Sequence, residues 1–206
     1  MSLRTAIRRL PLRPAVPCAF SIPTHRRTFI SLPGSEPQSL VATKTLPYDH
    51  KPLYELIADV DSYSTFVPYC SHSNVTKWSA PDSNGRRWPA LADLHVGWGG
   101  FNEVFTSRLR CVPGVSVEAL SGGNVSGTQQ DASAVFKTLE TLWSLRPISH
   151  QPSPSTEVRL TIKYQFVNPL YAVVSAAISD QMASLMIEAF EKQVHDRLGP
   201  HKQNLQ

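Results

Sequence analysis

Residues 158–198 read VRLTIKYQFVNPLYAVVSAAISDQMASLMIEAFEKQVHDRL and hold two hydrophobic periods back to back. Val158, Leu160, Ile162, Tyr164 and Phe166 alternate with Arg159, Thr161, Lys163 and Gln165. Strict period 2 with one polar face predicts a strand in an antiparallel sheet that is solvated on one side. Past Pro169 the period changes. Leu170, Val173, Val174, Ala177, Ile178, Met182, Leu185, Met186, Phe190 and Val194 recur at helical spacing as a wide apolar stripe. The stripe predicts a helix of about 29 residues, about 43 Å long, stopped by Gly199-Pro200.

Working back toward the N-terminus, the same period-2 signal repeats. Val135, Leu139, Trp143 and Leu145 form one apolar face, and Phe101, Phe105, Leu109 and Cys111 another. Trp88, Ala90, Ala92, Leu94, Val96 and Trp98 form a third. Turn residues at 81–85, 97–100, 113–114, 121–133 and 147–155 separate about six strands between Cys70 and Phe166. Ahead of them, residues 40–47 read as a first strand ended by Pro47. Asp49 precedes a short helix with Pro52 near its start and carrying Leu53, Leu56, Ile57 and Val60, and a second helical turn is capped by Asp61 or Ser62 and ended by Pro68. Six or seven strands at about 4.8 Å spacing make a sheet roughly 30 Å wide, which one long helix can cross. The expected fold is α+β: a curved antiparallel sheet gripping the C-terminal helix, with a cavity between them, and not a doubly wound nucleotide fold.

Charge divides the 206 residues unevenly. Six arginines and no acid precede Glu36, whereas the remainder carries 14 basic against 16 acidic residues, a balance of −2. An Arg-rich, acid-free leader reads as an organelle transit peptide over residues 1–35, with a disordered basic arm as the alternative. Residues 3–10 can form a short amphipathic helix, and cleavage near Arg27-Thr28-Phe29 would leave about 175 residues. Residues 38–199 then form the folded domain and 200–206 a short tail. The mildly acidic remainder disfavours a nucleic-acid partner. Three cysteines exclude a disulfide scaffold, and no run of 18 apolar residues reads as a membrane span.

Signatures of catalysis are missing. The chain has no G-x-G-x-x-G, Walker loop, H-E-x-x-H or G-x-S-x-G. Cys70-Ser71-His72 could supply two metal ligands, but no second pair stands at zinc spacing, so neither a metal nor a catalytic group is expected. Glu103 shares a strand face with Phe101 and Phe105. A carboxylate there either pairs with a cation, sits at the sheet rim, or points into a polar pocket of the cavity. Met182, Met186 and Phe190 on the long helix read either as packed core or as the adaptable wall of a lipid cavity.

The segment YELIADVDSYSTFVPYC (54–70) resembles the helix–turn region of the coenzyme Q-binding protein family, within the START and polyketide-cyclase-like superfamily. The resemblance continues through VGWGGFNEVFTS (96–107), LETLW (139–143), YQFVNPL (164–170) and MIEAFE (186–191), covering roughly residues 40–199. The sequence departs from the family in a longer 121–133 connection and at Ile178-Ser179, where the pattern carries a bulky aromatic. The resemblance implies a helix-grip fold and a polyprenyl quinone ligand, coenzyme Q. It also implies a peripheral place on the matrix side of the mitochondrial inner membrane, beside quinone-synthesis or respiratory complexes. It implies a lipid chaperone, not an enzyme. On that reading the ligand-binding residues are Phe66, Val67 and Pro68 at a gate and Trp98, Phe101, Glu103, Phe105, Trp143 and Phe166 on the sheet. Met182, Met186 and Phe190 complete them on the helix. Ribosome-associated regulators and polyketide cyclases resemble the same domain, so a translation factor and an enzyme stand as the competing expectations.

Overall fold

The computed structural model describes residues 36–98, 101–122, 135–149, 153–168 and 170–199, with side chains described except at 98, 101 and 170–180. The expected transit peptide, the tail from residue 200, most of the 121–133 connection and the side chains of Trp98, Phe101, Ile178 and Ser179 lie outside that description. Strand β1 (Gln38–Leu46) leads into helix α1 (His50–Ala58) and a 3₁₀ turn (Val60–Thr65). Six strands follow: β2 (Cys70–Trp78), β3 (Pro89–Trp98), β4 (Phe101–Val112), β5 (Ser116–Ser121), β6 (Phe136–Pro147) and β7 (Thr156–Phe166). Helix α2 (Leu170–Leu198) closes the domain with the 29 residues its stripe predicts.

The seven strands form one sheet in the order β1-β7-β6-β5-β4-β3-β2, antiparallel at every pairing. Hairpins join β2 through β7 in sequence, and only β1 travels, crossing to pair with β7. Gly114 at φ +73° makes the β4–β5 turn in a conformation that side chains resist. Asp49 caps α1, its Oδ1 accepting the Lys51 amide at 2.9 Å. The second helical turn starts at Val60, earlier than its expected Asp61 or Ser62 cap, and ends at Thr65, ahead of Pro68.

Two ties fix α2 against this frame. Gly199 takes the left-handed conformation (φ +75°) just past the helix end, its amide donating to the His195 carbonyl. The Tyr48 hydroxyl donates to the Gly199 carbonyl at 2.7 Å and lies 3.1 Å from His195 Nδ1. The C-terminal end of the helix is thereby anchored to the chain leaving β1. Beyond it, Phe190 and Val194 are fully buried with Leu53, Val158 and Leu160. Each such side chain contributes roughly 1.5–3 kcal/mol of burial energy, which makes this end of the sandwich the solid core.

Along β7 the packing changes character. Val158 and Leu160 point into that core, while Ile162, Tyr164 and Phe166, further along the same face, line a cavity. Helix and sheet therefore touch at one end and part at the other.

Candidate functional site: an apolar cavity between sheet and helix

The cavity encloses about 190 Å³. Its floor is the inner face of β3–β7 with Leu40 of β1, its roof is Met182 and Met186 of α2, and Val67, Pro68 and Tyr69 stand at one side. Among the described residues, the lining contains no carboxylate, imidazole, amine or thiol. Apart from the indole of Trp143, its polar side chains are hydroxyls: Ser107, Ser121, Thr141 and three tyrosines.

Two of the tyrosines are committed elsewhere. The Tyr63 hydroxyl donates to the Ile57 carbonyl at 2.6 Å, and that of Tyr164 to Gln38 Oε1 at 3.1 Å. Burial pushes the Tyr63 phenol well above its ordinary range, so it stays neutral. Tyr69 marks the mouth, since it lines the cavity yet remains 42% exposed. It holds φ +63°, unusual for a residue with a side chain, and its carbonyl accepts the Gly97 amide at 3.0 Å. The serines face each other across the β4–β5 ladder, with their hydroxyl oxygens 2.6 Å apart.

The expected site residues divide into four groups. Val67, Pro68, Phe105, Trp143, Phe166, Met182 and Met186 come together around the cavity. Phe66 and Phe190 lie behind it instead: their rings pack at 6.3 Å, and Phe190 is fully buried 5.2 Å from Trp143. Glu103 is half-buried opposite Val96 and outside the lining, which fits cation pairing or a rim position rather than the pocket alternative. The side chains of Trp98 and Phe101 fall outside the described residues.

Several lining residues escape a reading by pattern. Phe136 has the wrong parity for the Leu139–Trp143 face. A bulge between Phe136 and Thr138 turns it inward, where it stacks on Phe166 at 4.9 Å. Ser107 does lie on the Phe105–Leu109 face and was legible there by parity alone. Ser121 lay hidden at the start of a Gly/Ser-rich connection read as loop. The Trp143 indole N–H is buried with no hydrogen-bond acceptor, a donor left over in an apolar wall.

The other chemical candidates lie elsewhere. Cys70 is buried and Cys111 half-buried, both outside the lining with their thiols pushed up by desolvation. His95 meets His72 edge-on at 5.2 Å on the outer side of the β2–β3 pair. Among the described residues no group of three His, Cys, Asp or Glu side chains could hold a metal ion. No described helix is long and apolar enough to cross a membrane.

Comparison with known proteins agrees with this geometry. Residues 46–191 match the family described as polyketide cyclase / dehydrase and lipid transport. The chain is 30% identical over 196 residues to the mitochondrial coenzyme Q-binding protein of Eremothecium gossypii, an alignment spanning 93% of this chain and 91% of that one. The chain belongs to the coenzyme Q-binding protein family. The ribosome association toxin of Pseudomonas aeruginosa shares 29% identity over 146 residues, 70% of this chain and 87% of the toxin. A START superfamily protein from Mycobacterium smegmatis has the same fold, with a TM-score of 0.59, 16% identity, and coverage of 77% of this chain and 98% of the other. A helix-grip fold is thus common to this family and to proteins named for other tasks, and the cavity's contents must decide among them.

Proposed function

We propose that this protein binds a polyprenyl quinone, coenzyme Q, in the cavity beneath α2. It acts as a lipid chaperone on the matrix face of the mitochondrial inner membrane, supporting respiratory electron transport and quinone synthesis. The observation that carries the reading is an open-mouthed cavity whose described lining is apolar apart from neutral hydroxyls and one indole. Such a lining suits a ring with uncharged oxygens and a hydrocarbon tail. The relatives' names point to the same ligand.

Energetics define how it works. Removing a tail from water is worth about 0.8 kcal/mol per CH₂ group, but a quinone leaves a bilayer that is already apolar. Tail transfer is nearly neutral, and selectivity rests on cavity shape and a few hydrogen bonds to the ring. About 190 Å³ of free space holds on the order of 15 heavy atoms, at roughly 10–15 Å³ for each water-sized group. A ring with the first part of its tail fits, and the remaining tail leaves through the mouth. The protein therefore loads at the membrane, with Val67, Pro68 and Tyr69 against the lipid. A lining that, among the described residues, holds no titratable base or acid near neutrality supports a carrier rather than a cyclase.

The test is lipid extraction of the full chain purified from a quinone-containing host, with quinone counted per mole of protein, beside co-sedimentation with ribosomes. Near-stoichiometric quinone and no ribosome association are expected. Ribosome association without quinone would favour the toxin-like reading, and neither would leave the family's lipid role unsupported in this chain.

A further inference from the structure

We propose that Ser107 and Ser121 form the head-group anchor of the cavity, recognising a ring oxygen of the ligand in either redox state. This rests on the quinone-binding reading and assigns the residues that select the ring.

The geometry begins with the ladder. Ser107 on β4 and Ser121 on β5 are direct partners, flanked by Ala92 on β3 and Leu139 on β6. Ala92, Ser107 and Ser121 are three small side chains in one row across three strands. The neighbouring lining positions on the same face of β4 are Phe105 and Leu109, so on that strand Ser107 is a small polar position between two bulky apolar ones. Both serines line the cavity, and they are only 4% and 7% exposed.

Hydrogen counting gives the chemistry. Two hydroxyls hold two protons, and their mutual bond at 2.6 Å uses one of them. The second proton meets no acceptor among the described residues, and lone pairs remain on both oxygens. The pair can therefore donate to a quinone carbonyl. By rotating its protons it can also accept from a quinol hydroxyl. A charged anchor would favour one redox form; a hydroxyl pair does not. With no titratable group of ordinary neutral range in the described lining, binding should be level from about pH 6 to pH 9.

Stability alone does not account for the pair. Replacing both partners of a buried hydrogen bond by apolar groups of similar shape is close to neutral for folding, whereas removing one strands the other. Folding and binding thus respond differently to one set of variants.

The experiment uses the full chain and three probes: ubiquinone with two isoprene units, its quinol under anaerobic reduction, and a ring-free isoprenoid hydrocarbon of the same length. Dissociation constants come from titration calorimetry and apo stability from thermal melting. Wild type should bind quinone and quinol within about threefold of each other. The double variant Ser107→Ala/Ser121→Ala should melt near wild type, weaken both ring-bearing probes by about 5–10-fold and leave the hydrocarbon unchanged. Ser121→Ala alone keeps the proposal testable should the double variant not fold. Its apo melting temperature should fall, while ligand raises it at least as far as in wild type, because the stranded Ser107 hydroxyl gains a partner. Equal loss of all three probes, or quinone binding untouched in the double variant, would overturn the anchor while leaving quinone binding itself in place. Wild type that binds no quinone would overturn both.

Discussion

Met186 and Phe190 lie one turn apart on α2, and the structure predicts opposite consequences from truncating them. Phe190 is fully buried, with the Trp143 ring at 5.2 Å and the Phe66 ring at 6.3 Å. Phe190→Ala opens a void among packed rings, with an expected cost of about 3–5 kcal/mol. Met186 is half-buried and its side chain borders free space. Met186→Ala removes about three CH₂-sized groups, worth roughly 2.4 kcal/mol if wholly buried. Facing a cavity on one side, they have fewer partners to lose, and about 1 kcal/mol is expected. In a domain of this size 1 kcal/mol moves Tm by about 2–4 °C, so the two variants should differ by roughly 5–15 °C. Differential scanning calorimetry on ligand-free protein reads this directly. Met186→Lys adds a second arm: the cavity can hydrate its ammonium group, so the apo fold should survive while quinone loading is lost. Equal melting losses for Met186→Ala and Phe190→Ala would mean that Met186 is core and the cavity reading is wrong.

Other consequences can be checked independently. Glu103→Gln should leave quinone binding within about twofold of wild type, because the carboxylate stands outside the lining; a tenfold loss by calorimetry would return it to the site. Burial raises the pKa of both Tyr54 and Tyr63 in the fold, whereas in the unfolded chain each ionises near 10.0. Above pH 10 the unfolded chain sheds protons that the native one keeps. Stability should therefore be level up to pH 9 and then fall with rising pH in urea titrations at pH 9, 10 and 11, gently at first and approaching about 1.4 kcal/mol per unit for each group only well above pH 10. A rise in stability across that interval would contradict the burial of the two phenols. Tyr69→Gly should leave Tm within a few degrees, since glycine accepts φ +63° without strain, but should reduce flotation with liposomes of inner-membrane composition. Unchanged flotation would move the membrane contact away from the mouth.

The fold was legible because its signals are local and repeated. Alternation in 158–166 and the period switch at Pro169 identify β7 and α2, and turn residues count the remaining strands. The site was legible only where residue type and strand parity agree, as at Phe105, Trp143 and Phe166. Phe136 was not, because one extra residue in β6 reverses its parity, and a bulge has no composition of its own. Phe190 shares the stripe of Met186 yet falls in the core. The stripe gives the face of a helix but not the level at which helix and sheet separate. Ser107 and Ser121 were passed over for Glu103 because a charge stands out in an apolar face and a serine does not. Their meaning comes from a cross-strand pairing that only the register reveals.

The central claim is that the quinone ring lies inside the cavity, and photolabelling tests it most directly. A ubiquinone carrying an aryl azide on the ring is bound to the full chain, illuminated, and its attachment sites are mapped by peptide mass spectrometry. Labels are expected on the inner faces of β4 and β5, from Phe105 to Leu109 and Val117 to Ser121, and on Met182 or Met186, all competed away by unlabelled quinone. Labels confined to the outer face of the sheet, or insensitive to competitor, would contradict the account.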